Sequence, residues 1–303
     1  MARLSLLFKL VCICWTSALN LTLIGGEILK DSNFGVKMEG KDAVILKYTG
    51  TSNNLKISGN KPKNAKVTST TVIIPSRIAG KRVRKIGEHS FEMCIGIVNV
   101  SIPKEVTIIG DYAFTNCRLL SKVTMPEGLK IIGRQAFAGC NFSQVTIPKT
   151  VREIGDGAFG STNISQVTIP PGVTKIRSGT FLGCSRLTQV IIPEGITMID
   201  EYAFRLCGLT SMTIPKNVMH IGQGAFSECY RLTQVTISEG IKVIGEKAFF
   251  HCRYLTSVTI PKSVTHIGKE AFSGCACLAS ASVPQELSLG DNVFPQSCKI
   301  TRY

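Results

Sequence analysis

A phenylalanine recurs every 22 or 23 residues, at Phe91, Phe114, Phe137, Phe159, Phe181, Phe204, Phe226, Phe249, Phe272 and, in a degenerate setting, Phe294. A period of this length marks one supersecondary unit repeated in space, a solenoid in which each coil touches only its neighbours. Written from its strand, the unit reads L-x-x-V-T-I-P-x-x-V-x-x-I-G-x-x-A-F-x-x-C. Residues 255–275 give it nearly intact as LTSVTIPKSVTHIGKEAFSGC.

Each position has a physical reason. Val258-Thr259-Ile260 alternates apolar, polar, apolar, the pattern of a short strand with one buried face. Pro261 cannot donate to a ladder, so it ends the strand and turns the chain. Val264 and Ile267 point inward from the following turn, and Gly268 permits a positive φ or a close backbone approach. Ala271 is small enough to admit Phe272 as the wedge that fills the coil. One coil cannot bury these apolar side chains alone. Stacked coils bury them as one core, at about 1.5–3 kcal/mol per large side chain, with strands about 4.8 Å apart in a parallel sheet. The unit varies: Arg177 and Asp200 replace the glycine, Ser238 the proline and Thr162 the cysteine.

This motif resembles the BspA-type leucine-rich repeat family, over roughly residues 70–298 in nine tandem copies. Residues 74–87 resemble the longer first repeat typical of that family. The resemblance implies a protein of a microbial surface, with roles in adhesion, co-aggregation or binding of host matrix proteins. The expected fold is a leucine-rich-repeat solenoid, with a parallel β-sheet on the concave face, short irregular or helical turns on the other, and a β-rich N-terminal cap.

Residues 1–18 read as a secretory signal peptide, with Arg3 before an apolar run and Thr16-Ser17-Ala18 offering a cleavage site, although Lys9 interrupts the run. Residues 19–69 read as a cap, with strands over 34–39 and 43–48 joined by Gly40-Lys41-Asp42, and a mobile loop over 50–66. Residues 70–303 hold nine to ten repeats. No later stretch reaches the length of a transmembrane helix, and the mature chain is expected secreted or at the cell surface.

Chemistry-bearing motifs are scarce. Eight cysteines (Cys94, Cys117, Cys140, Cys184, Cys207, Cys229, Cys252 and Cys275) fall three residues after the repeat phenylalanine, the phase of a buried thiol column. Cys277 and Cys298 leave that phase, and a bridge between them is open. The four histidines are scattered, His220 and His266 lying two coils apart, so no metal or other cofactor is expected. Neither a phosphate loop nor a nucleophile elbow occurs, and no enzymatic activity is expected.

Charge is 35 Lys and Arg against 20 Asp and Glu, a net +15 that attracts anions without choosing among them. The run Lys81-Arg82-Val83-Arg84-Lys85 lies in the repeat register with Val83 inward, and reads as a solvated strand edge. Other cations are dispersed and lack interleaved aromatics, which disfavours nucleic acid. The position after the strand proline or its substitute alternates in sign through Lys104, Glu127, Lys149, Pro171, Glu194, Lys216, Glu239 and Lys262, as if stacked side chains attract and fix register.

Two surfaces remain for binding. The sheet's solvent face carries a threonine column beside Gln144, Gln166, Gln189 and Gln234. The loop entering each strand holds Arg118, Arg186, Tyr230, Arg231, Arg253 and Tyr254, and arginine and tyrosine dominate interface energies. The ligand-binding candidates are therefore Arg186, Tyr230, Arg231, Arg253, Tyr254 and those four glutamines. The expected partner is a protein or a sulfated or acidic glycan. An intracellular interaction scaffold is the alternative, and a polyanion or nucleic-acid binder the third reading.

Overall fold

The computed structural model describes residues 28–31, 34–48 and 70–303, so the signal-peptide segment and the 50–66 loop of the sequence reading lie outside the described residues. About nine coils wind into a solenoid whose successive strands pair in parallel and in register, as in Gln166↔Gln189, Val167↔Val190 and Thr168↔Ile191. Each coil has three sides. The first carries the V-T-I strands, among them Ser211–Ile214, Gln234–Ile237 and Ser257–Thr259. The second carries two-residue strands ending at the repeat isoleucine, such as His220–Ile221, Val243–Ile244 and His266–Ile267. The third is the phenylalanine turn, and no helix occurs among the described residues. The turns opposite the sheet are thus irregular rather than helical, and the isoleucine turn of the sequence reading is itself a second parallel ladder.

The phenylalanine turn has its own hydrogen-bond ladder. The N–H of Phe91 donates to Ala113 O of the next coil, Phe114 to Ala136 O, Phe204 to Ala225 O and Phe249 to Ala271 O, at 2.7–2.8 Å. The residues two before and two after the phenylalanine adopt positive φ. They are glycine in some coils, as at Gly179 and Gly183, but elsewhere carry side chains, as at His89 and Met93, Tyr112 and Asn116, Tyr202 and Leu206, and Lys247 and His251. A left-handed residue with a Cβ costs about 1–2 kcal/mol, which the ladder bonds and ring packing offset. The rings of Phe91 through Phe294 form one continuous stack, neighbouring centroids 4.7–5.8 Å apart. All but Phe294 are fully buried.

The eight phased cysteines are free and buried. Seven have a phenylalanine carbonyl of the preceding coil within reach of the thiol, as Cys117 Sγ donates to Phe91 O at 3.0 Å and Cys275 Sγ to Phe249 O at 3.1 Å. Thr162 fills the same place, its hydroxyl 2.8 Å from Phe159 O and 3.3 Å from Cys184 Sγ. Cys277 and Cys298 are free, so no bridge joins them.

Of the two roles open to the repeat glycine, close approach is the one the structure uses: a Cβ on Gly268 would lie 2.3 Å from Glu246 N and 2.7 Å from Gly245 C, and its φ is not positive. Arg177 stands where the second ladder breaks: one sheet ends at Glu153–Ile154 and the next begins at Lys175–Ile176. There a side-chain ion pair, Arg177 to Glu153 at 2.9 Å, spans the gap. The alternating charge column, in turn, forms no ion pair among the described residues. The carboxylate of Glu239 instead accepts the backbone N–H groups of Lys262 at 3.2 Å and Ser263 at 3.1 Å, a stronger use of a carboxylate than a solvated lysine offers.

At the N-terminal end, Phe34–Glu39 and Asp42–Tyr48 form an antiparallel hairpin, flanked by Ile28–Asp31. Asp42–Tyr48 pairs in parallel with Lys81–Ile86, continuing the second ladder. Lys299–Arg302 pairs in parallel with Ser280–Val283, and the Tyr303 hydroxyl donates to Ile260 O at 2.8 Å.

Candidate binding surface

Loop length between the repeat cysteine and the following strand decides where a rim forms. After Cys140, Thr162 and Cys207 a single residue, Asn141, Asn163 or Gly208, precedes the repeat's apolar anchor, whereas two residues do so after Cys229, Cys252 and Cys275. Three consecutive long loops, Tyr230-Arg231, Arg253-Tyr254 and Ala276-Cys277, therefore stand proud of the short loop at Gly208. Between them lies an open groove lined by Tyr230, Arg253, Tyr254, Ala276 and Cys277.

The groove is braced from below. The Arg253 guanidinium lies 5.2 Å from the centre of the Tyr230 ring, a cation–π contact. The Tyr230 hydroxyl donates to Glu228 Oε2 at 2.6 Å. The other oxygen of Glu228 accepts from Arg205 Nη2 at 2.6 Å and Nε at 2.9 Å. The Tyr230 hydrogen bond and the Arg205 guanidinium hold the Glu228 carboxyl below its usual range, while the same bond raises the Tyr230 phenol. Arg205 also lies over the Tyr202 ring at 5.6 Å. Tyr254 is 59% exposed, the most accessible ring of the set.

The structure thus brings Tyr230, Arg253 and Tyr254 together. Arg231 is exposed on the same loop but outside the groove lining, and Arg186 sits two coils away, beyond the short loop at Gly208. Gln166 and Gln189 are directly paired across the first sheet, and Gln234 pairs with Ser211. Gln144 is exposed on a coil whose strand geometry lapses. Glu228, Arg205, Ala276 and Cys277 were missed by sequence reading. Glu228 and Arg205 belong to the phenylalanine turn, and only its left-handed geometry aims them at the rim. Residue order did carry one signal for them: Glu228 precedes Tyr230 by two positions.

Residues 84–207 and 197–303 match the BspA type leucine rich repeat region, in six copies. The chain belongs to the BspA-type leucine-rich repeat family. Solved structures with this fold include a leucine rich cell surface protein from Faecalibacterium prausnitzii A2-165, at 24% identity over 90% of this chain and 94% of that one, with a TM-score of 0.57. Another is the leucine-rich repeat protein of T. pallidum, at 22% identity over 83% and 91%, with a TM-score of 0.53. None of the curated proteins matches the chain. Among the described residues of this BspA-type protein, no helix is long and apolar enough to cross a membrane.

Proposed function

We propose that this BspA-type protein is exported and, without catalysing a reaction, binds a macromolecular partner in adhesion or in attachment to matrix or cell-surface proteins. In this reading residues 1–18 are a signal peptide, 19–69 a cap and its loop, and 70–303 the binding solenoid. The observation that carries the proposal is the braced groove of Tyr230, Arg253 and Tyr254 at the edge of the threonine and glutamine face. An aromatic and guanidinium anchor beside a flat polar sheet is the composition of a protein-binding hot spot with its rim. Because Glu228 sits beneath the arginines, the rim suits a mixed protein surface better than a uniform polyanion. Family membership and the general use of solenoid faces support the same reading.

The test has two parts. Mass spectrometry of the exported chain should find Leu19 at its N-terminus. Surface plasmon resonance against a panel of matrix glycoproteins should find a binder whose affinity falls about thirtyfold in Arg253→Ala with Tyr254→Ala, the equivalent of about 2 kcal/mol. Binding unchanged in that variant overturns the site.

A further inference from the structure

The basic charge of the described chain is concentrated at one end. Residues 34–48 and 77–86 hold eight cations and two carboxylates, a net +6 in 25 residues. Residues 87–303 hold 20 cations and 16 carboxylates, a net +4 in 217 residues. The run Lys81-Arg82-Val83-Arg84-Lys85, read from sequence as a solvated strand edge, is the centre of this concentration.

Its placement explains how the cations gather. Arg77–Ile78 and Lys81–Ile86 form a tight antiparallel hairpin, turned at Ala79 and Gly80 with φ of 48° and 77°. On the other side Asp42–Tyr48 pairs with Lys81–Ile86, and Lys81 Nζ donates to Gly40 O at 2.9 Å, holding the two hairpin tips side by side. A register shift opposite Ala43 and Val44 leaves Arg84 as an extra residue, and Arg82, Arg84 and Lys85 all keep contact with solvent while Val83 is buried.

Arg77 and Arg82 are direct cross-strand partners, both exposed. Like charges directly opposite in a ladder destabilise it, and such breaks with a local rule concentrate at functional or strained sites. Asp42 is the residue opposite Arg82 on the other side of its strand, yet its carboxylate lies against Arg84, at 3.4 Å. Glu39 is 3.1 Å from Lys37, and the Arg77 guanidinium donates to the carbonyl of Gly80 at 2.7 Å, so among the described residues neither arginine of the pair forms an ion pair.

We infer that these paired hairpins bind a sulfated glycan, with Arg77 and Arg82 at the centre of the site. The site is separate from the Tyr230 groove and does not rest on it. The surface is four strands, or roughly 14 Å, wide, which fits a single polymer chain. A nucleic-acid duplex needs on the order of 1000 Å² of protein surface or more. Single-stranded nucleic acid needs exposed rings, and both aromatic residues here, Phe34 and Tyr48, are buried. A membrane surface needs apolar insertion, and Leu46 is the one exposed large apolar residue in these segments. Sulfates are met by guanidinium forks and lysine point charges alone.

The experiment measures binding of full-length protein to a heparin oligosaccharide across a salt series, with duplex DNA and phosphatidylserine vesicles as competing arms. Arg77→Gln with Arg82→Gln should weaken heparin binding by at least about tenfold and flatten its salt dependence by about one unit per arginine. Its melting temperature should equal or exceed that of the parent, because a repulsive pair is gone. Lys41→Gln, on an exposed turn, should weaken binding in the same direction, and Arg231→Ala with Arg253→Ala should leave it unchanged. The inference is overturned if the parent does not bind heparin, if the hairpin variants bind as the parent does, if the rim variant loses binding instead, or if DNA or vesicles outcompete heparin. Loss of protein binding in the rim variant with heparin binding intact, or the reverse in the hairpin variant, separates this site from the groove.

Discussion

Tyr48 lies face to face with Phe91, ring centroids 5.3 Å apart and planes 24° from parallel, and its backbone N–H donates to Ser90 O at 2.8 Å. Phe91 makes the same two contacts with the next coil, stacking on Phe114 and donating to Ala113 O. Tyr48 therefore takes the place of the repeat phenylalanine in its coil, as Ile45, paired with Ile86 and accepting from Gly87 N–H, takes that of the repeat isoleucine. Tyr48→Ala should destabilise the chain by about 3 kcal/mol, with hydrogen exchange quickening first in residues 81–94 and the C-terminal coils little changed. Uniform loss of protection along the chain would contradict this.

Phe181 sits mid-stack, fully buried, with ring neighbours Phe159 at 5.8 Å and Phe204 at 5.4 Å. Phe181→Ala removes both contacts and leaves a cavity, at a cost of about 3–5 kcal/mol. The loss should loosen the adjacent coils most, since solenoid stability passes between neighbours. A melting temperature within one degree of the parent would rule out the wedge.

The buried thiols should be inert. Burial pushes Cys94 and Cys184 up to about 11 and Cys140 and Cys229 up to about 12, so little thiolate exists near neutrality. Alkylation of the native protein near neutral pH should label exposed Cys277, and Cys298 more slowly. The eight phased cysteines should react only after denaturation. Mass spectrometry showing consecutive disulfides in that column would reverse the assignment.

The groove should come apart in acid. Glu228 is held below its usual range by the Tyr230 hydrogen bond and Arg205, so its contribution is present above the unfolded value of about 4.3 and is lost as pH falls through the lower folded value. Arg205 and Tyr230 resonances should shift together in that acid window, and partner affinity should fall with them. Glu228→Gln should remove this pH dependence while leaving the fold intact.

The coil was legible because one phase carries all of its apolar positions: Val258, Ile260, Val264, Ile267, Ala271 and Phe272 are each buried as the pattern requires. The backbone contacts of the charge column and the left-handed turns were not. The left-handed positions are glycine in some coils, as at Gly157, Gly179 and Gly224, but His89, Tyr112, Gln135 and Lys247 fill them in others and give no hint of positive φ, because the ladder, not the residue, enforces it. Tyr48 carries no repeat consensus, and only stacking reveals its place. The pairing of Arg77 with Arg82 depends on a two-residue turn at Ala79-Gly80, which repeat phase does not encode. Of the rim, residue type and phase named Tyr230, Arg253 and Tyr254, while the carboxylate beneath them required the shape of the turn.

The phenylalanine-turn ladder has a direction. Each N–H that leaves one coil points toward the C-terminal coil, and each carbonyl that receives it points back. The β sides also hold bonds of the opposite direction, such as Gly133 N–H to Ile109 O, but on this side they all run one way, as in a helix, with the opposite sense along the chain. The phenylalanine side therefore carries an electrical axis with its negative pole at the N-terminal end. That is the end where Lys47 and the cationic hairpins gather, so the backbone itself supplies part of the counter-charge that their side chains lack.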